Sequence, residues 1–188
     1  MLLRTVDIIS VQRVHAFYLA LTGRERDGHP VGHFVHHIRI EIMRGLSEIQ
    51  SDRLVCIFFL ASKLRSFNLV GRPVLASHLR CLSQVSAQTM STLCVLVSQA
   101  GSITLLRLLA GFPALIRLEV TCKSTAIWGD MERYRPLTLA SVSTFAWSWP
   151  KQCLTCHVQY LTACTLAPGG TFRLAMPQLS PTDAPMLA

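Results

Sequence analysis

Between Arg80 and Arg107 the chain runs for 26 residues without a charged side chain. A stretch of that length can leave water, although Ser83, Gln84, Ser86, Gln88, Ser91, Ser98 and Gln99 within it are polar. It can cross a lipid bilayer, which takes about 20 apolar residues as a helix, or it can lie inside a protein core. Its most apolar window, Thr92 to Leu115, takes in Arg107 and ends on Gly111 and Pro113. An arginine deep in a bilayer costs roughly 2.5–3.5 kcal/mol on insertion scales, and the leucine, isoleucine and valine side chains around it offset that. The window therefore reads as one candidate membrane span, with a buried or interfacial helix as the alternative. The arginines from Arg24 to Arg80 outnumber the basic residues that follow it. If it spans, the N-terminal side lies in the cytoplasm. On this reading the location is a membrane and the lipid bilayer is a partner.

At 188 residues the chain has the length of one domain. The sequence divides into a single, poorly defined apolar domain over 1–176 and a proline-bearing, frayed tail over 177–188. Hydrophobic residues make up 51% and charged residues 15%, and mean hydropathy is +0.40. This excludes a charged disordered protein, because too much apolar surface is present to stay solvated. The net charge is +8, and arginine supplies most of it. A nucleic-acid surface needs basic residues gathered on one face. Here they are scattered singly, and Arg24, Arg26, Arg133 and Arg135 have acidic neighbours, so no specific nucleic-acid binding is expected. Seven cysteines without a visible secretory signal argue against a disulfide framework.

Periodicity favours helices. Leu2 to Leu21 reads as an amphipathic helix stopped by Gly23. Phe34 to Ile49 fits both a strand and a helix period, and its length favours the helix. Leu54 to Leu64 fits a buried strand or a helix begun at Ser51. Pro73 opens the longest periodic segment, a helix carrying Leu75, Leu79, Leu82, Leu93 and Leu96. Past Pro113, Ile116, Leu118 and Val120 alternate with Arg117 and Glu119 as a short strand. Leu137 to Trp149 is a second strand candidate, and Pro168-Gly169-Gly170 is a turn. No internal repeat is apparent. The fold class predicted is mainly α with a few short β-strands in the C-terminal third. It is weakly specified, because helix caps are sparse and local preferences conflict.

One motif carries recognisable chemistry. Cys153-Leu-Thr-Cys156-His157 has the C-x-x-C-H spacing of covalent haem attachment. With Cys164, the same residues fall at i, i+3, i+4 and i+11 and could ligate zinc, aided by His29, His33, His36 and His37. Packed thiols and solvated histidines are the plainer reading, and no cofactor is assigned. No phosphate-binding glycine loop, nucleophile elbow or zinc-protease motif occurs, and no catalytic residue is assigned. Glu41, Glu48 and Asp52 read as the polar side of a helix. Leu (28), Ser (16) and Arg (15), the residues with six codons each, stand near codon proportion, as in an unselected reading frame. The sequence thus points to a small, basic, non-catalytic protein, membrane-associated or an unselected translation product. The alternatives are a metal- or haem-binding module on Cys153, Cys156 and His157, and an interaction module using the Leu75–Leu96 stripe against a partner helix.

Overall fold

A computed structural model of the chain describes residues 4–42, 48–97, 107–122, 138–148 and 164–175. The first expected helix is two elements. Thr5–Ile8 forms strand β1, Ser10 turns the chain in an extended conformation, and its side chain accepts a bond from the Arg13 amide at 3.3 Å. That cap starts helix α1 (Val11–Arg26), which passes through Gly23 and ends with Arg24 and Arg26 beside its carbonyl terminus, where positive charge is favoured. After a 3-10 turn at Gly32–Phe34 come β2 (His37–Glu41), α2 (Glu48–Leu60), β3 (Ser66–Pro73), α3 (Ala76–Val85) and β4 (Thr92–Val97). Strands β5 (Arg117–Cys122), β6 (Thr138–Leu139), β7 (Thr144–Ser148), β8 (Thr165–Leu166) and β9 (Thr171–Ala175) follow.

Seven of these strands make one sheet in the order β1-β2-β3-β4-β5-β7-β9, and every pairing is parallel. The order is the chain order. Each strand pairs with the next strand of the sheet to come, after a crossover, and the register partners Thr5, His37, Ser66, Thr92, Arg117, Thr144 and Thr171 recur at steps of 25 to 32 residues. Strand entry repeats as well. The Arg4 carbonyl accepts from the amides of His36 and His37, that of His36 from Arg65 and Ser66, and that of Arg65 from Ser91 and Thr92. The carbonyls of Ser91 and Ile116 continue the series. Just before the strand, Val35 bonds back to Gly32, Leu64 to Ala61, Leu115 to Phe112 and Val142 to Leu139.

The side chains follow the same frame. Val35, Leu64, Met90, Leu115 and Val142 form one buried row at 1% exposure or less. Three residues on, Ile38, Phe67, Leu93, Leu118 and Phe145 form a second. Two further on, Ile40, Leu69, Val95, Val120 and Trp147 form a third. The recurring spacing is L-x-x-L-x-L, the strand portion of the leucine-rich-repeat pattern. The asparagine or cysteine of that pattern is absent: its position holds Met43, Arg72, Ser98, Lys123 and Pro150. The architecture is a solenoid in which each unit buries its apolar face against its neighbours. Helices α1, α2 and α3 pack side by side over the buried rows. Rings from helix and strand interlock there, with Phe58 on α2 edge-on to Phe67 on β3 at 5.1 Å.

This α/β architecture overturns the mainly-α expectation, its placing of strands in the C-terminal third, and the absence of a repeat. A strand buried in a parallel sheet is a short apolar run that helical spacing also accommodates. The periodic segment from Leu75 to Leu96 shows how. Its helix stops at Val85, the chain turns between Ser86 and Met90, and Leu93 and Leu96 belong to β4. The membrane span is overturned for the same reason. Thr92–Val97 is a strand with Leu93, Val95 and Val97 buried, helix is described at 107–109, and Phe112–Leu115 is a turn. Among the described residues no helix is long and apolar enough to cross a membrane. The membrane location that rested on the span is withdrawn with it.

Two glycines are needed where they stand. A Cβ on Gly32 would lie 2.1 Å from the Leu60 carbonyl oxygen, so the 3-10 turn can tuck under the end of α2 only without a side chain. Gly71 has φ of 85°, inside the irregularity where the register of β3 shifts between Asn68 and Pro73.

Candidate functional site

Strand residues alternate between faces, so the residues between the buried rows share the opposite side of the sheet. Its central row runs Asp7, Arg39, Asn68, Cys94, Glu119, Ala146 and Arg173 in direct register. The row on its N-terminal side holds Thr5, Ser66, Thr92, Thr144 and Thr171, with His37 and Arg117 between. Every residue of both rows is exposed or half-buried. At a strand spacing of about 4.8 Å, the six steps from β1 to β9 make the face about 29 Å wide.

Charge on this face is mostly paired. Arg39 meets Glu41 at 2.8 Å along β2, and Arg117 holds Glu119 along β5 through Nε at 2.7 Å and through its Nη2. Such exposed pairs contribute about 0–1 kcal/mol to stability; their effect here is to cancel charge locally. Asp7 and Arg173, at opposite ends of the central row, have no ion-pair partner among the described residues. Two shallow clefts dent the face. One, of about 260 Å³, is centred on Ala146 between Glu119 and Arg173; the other, of about 250 Å³, lies among Asn68, Gly71, Cys94 and Leu96.

Cys94 is a thiol on this surface, and its environment disarms it. Burial, the Glu119 carboxylate and a hydrogen bond to that carboxylate push the thiol up to about 12. The reactive species is the thiolate, so Cys94 is a hydrogen-bond donor here. Away from the face, Ser51 Oγ lies 2.9 Å from His78 Nε2, between α2 and α3. The pair has the distance of a serine–histidine dyad, but His78 is 2% exposed and its Nδ1 is buried without a partner among the described residues. An activated serine needs its histidine oriented by a third group and reachable by substrate. Among the described residues neither condition is met, and the pair ties two helices together. Burial, reinforced by the Arg72 charge, holds His78 at about 4, so the ring is neutral at ordinary pH.

Of the residues singled out from sequence, Cys153, Cys156 and His157 lie outside the described residues. Cys164 is buried at 6% in the hydrophobic core beside β8. The histidines do not converge on it: His37 stands on the open face, and His36 lies between Arg4 and Arg65, whose charges, after burial, lower its pKa. Among the described residues no group of three His, Cys, Asp or Glu side chains is placed to hold a metal ion. Glu41 is on a strand, away from Glu48 and Asp52 on α2. The leucine stripe is divided between a helix and a strand, with Leu79, Leu82 and Leu93 in the core.

The open face itself was invisible to a reading by segments. Its residues become neighbours only when the seven strands are aligned, and the alignable signal is the recurring L-x-x-L-x-L spacing. No family model, curated protein or solved structure matches the chain, so the reading of this surface rests on its own geometry.

Proposed function

We propose that the chain is a non-catalytic recognition module that binds a protein segment across the open face of its sheet. The observation that carries this is a sheet face that, among the described residues, no element covers. Parallel sheets are ordinarily buried on both sides, and solenoids are the architecture that leaves one side free for a partner. The face supports a protein partner over a nucleic acid, because Arg39, Arg117 and Arg173 are balanced by Asp7, Glu41 and Glu119. A phosphate track would need unbalanced positive charge. Its width suits an extended segment of about nine residues at about 3.3 Å each. The raised Cys94 thiol and the buried Ser51–His78 pair support a role without covalent chemistry.

Site-specific photo-cross-linking in native cells tests the proposal. A cross-linking side chain at Asn68 or Ala146, on the face, should give the same discrete adduct. At Leu19 or Asp52, on the exposed sides of α1 and α2, it should give none. Adducts of equal yield from the helical side, or none from the face, would defeat the reading.

A further inference from the structure

We infer that the dent at Ala146 is a subsite for a single carboxylate side chain, an aspartate or glutamate of the bound segment; this rests on the sheet-face reading above. The dent exists because the register puts the smallest side chain of the central row between two long ones. Ala146 pairs across the sheet with Glu119 on one side and Arg173 on the other. Along β7 its same-face neighbours are Thr144 and Ser148, and Thr121 of β5 closes one corner. The walls therefore carry three hydroxyls and two guanidinium groups around a methyl floor.

The charges select the occupant. Glu119 is already engaged: Arg117 donates to its Oε1 twice and the Cys94 thiol donates to its carboxylate. Arg173 is the cation on this wall without an ion-pair partner among the described residues. Its planar fork can donate two parallel bonds to a carboxylate, and Thr144 and Ser148 stand on the flanks with hydroxyls to add. A cationic side chain would meet Arg173 and Arg117. A doubly charged phosphate would sit against the Glu119 carboxylate with only Arg173, among the described residues, to balance it. A single negative charge is matched. At the far edge of the same row, about 29 Å from Arg173, Asp7 is a complementary charge with no ion-pair partner among the described residues. The bound segment thus has a direction: its acidic residue lies over β7 and β9, and its far end lies towards β1.

A random dodecapeptide library displayed on phage, panned on the full chain, tests this. Enriched peptides should share an Asp or Glu at one position. Changing that residue to Asn or Gln should weaken binding roughly tenfold or more, the scale of a charged hydrogen bond. Arg173→Gln should cause the same loss, and the two changes together should cost no more than either alone. Ala146→Leu, which fills the dent from the solvent side, should block the same peptides while leaving the thermal midpoint of the protein unchanged. Peptides that bind the face, and lose binding on Arg39→Gln but neither on Arg173→Gln nor on Ala146→Leu, would overturn the subsite and leave the face reading intact. Peptides insensitive to all three changes would overturn both.

Discussion

Acid should weaken this protein through one buried ring. His78 sits on α3, against the edge of the Phe58 ring at 6.1 Å, with Ser51 on one nitrogen and, among the described residues, no partner on the other. Burial first, and the nearby Arg72 charge second, lower its pKa from 6.5 to about 4. In the unfolded chain the ring titrates at its ordinary value of about 6.5. Between the two values the unfolded state binds a proton that the folded state refuses, so stability falls as pH falls through that window. Above pH 6.5 both states are neutral and the ring has no pH effect; below about 4 both are charged and the slope is gone. Each unit is about 1.4 kcal/mol, so the whole difference is about 3 kcal/mol, and about 2.5 kcal/mol of it lies between pH 7.5 and 4.5. That is a large share of the 5–15 kcal/mol typical of a folded domain. The assay is urea unfolding of the wild-type chain and of His78→Gln at pH 7.5, 6.0, 5.0 and 4.5. The variant loses packing at every pH, but its stability should depend less on acid, because other titrating groups are common to both proteins. The stability of wild type relative to variant should fall by about 2.5 kcal/mol across the range, a shift on the order of 1 M in relative urea midpoint. A difference that stays constant with pH would refute the reasoning.

The remaining predictions concern packing and thiol chemistry. Gly32→Ala forces a methyl group against the Leu60 carbonyl and should destabilise by about 1–3 kcal/mol, read as a lowered thermal midpoint. Phe67→Ala empties the centre of a buried row and removes the ring against Phe58; the expected loss is about 3–5 kcal/mol in urea unfolding. In timed alkylation at pH 8, followed by peptide mapping, exposed Cys56 should label ahead of Cys81, Cys94 and Cys164. Cys81, pushed up to about 11 by burial and by Cys56, and Cys94 should label more slowly than Cys56. Glu119→Gln should accelerate labelling at Cys94, and an unchanged rate would show that the carboxylate does not hold the proton there.

The legible parts of the fold were those where polar and apolar residues alternate cleanly. Leu118 and Val120 against Arg117 and Glu119 mark β5, and Phe145 and Trp147 against Thr144 and Ser148 mark β7. Pro73 announced α3 within three residues of its start. The earlier strands were hidden because they alternate over only a few residues, beside helices that continue the apolar pattern in the other period. Ser86–Met90 is the instructive case: a turn there leaves the leucines on both sides at helical spacing by coincidence. The repeat was hidden because spacing recurs while identity does not. Ile38, Phe67, Leu93, Leu118 and Phe145 are equivalent positions with three different shapes. The candidate site lies one step further from view, since Glu119, Ala146 and Arg173 are separated by whole crossovers and meet only through register.

That register has a mechanical consequence. Strand order equals chain order, so the pairing that holds one unit in place comes from the units immediately before and after it. Damage is therefore confined: a fault near Gly32 loosens the α2 end of the array and reaches β9 only through every unit between. A segment lying across the strands would change that. Touching several units at once, it would act as a tie-bar, and the array would then yield as one piece where it otherwise peels unit by unit from its ends.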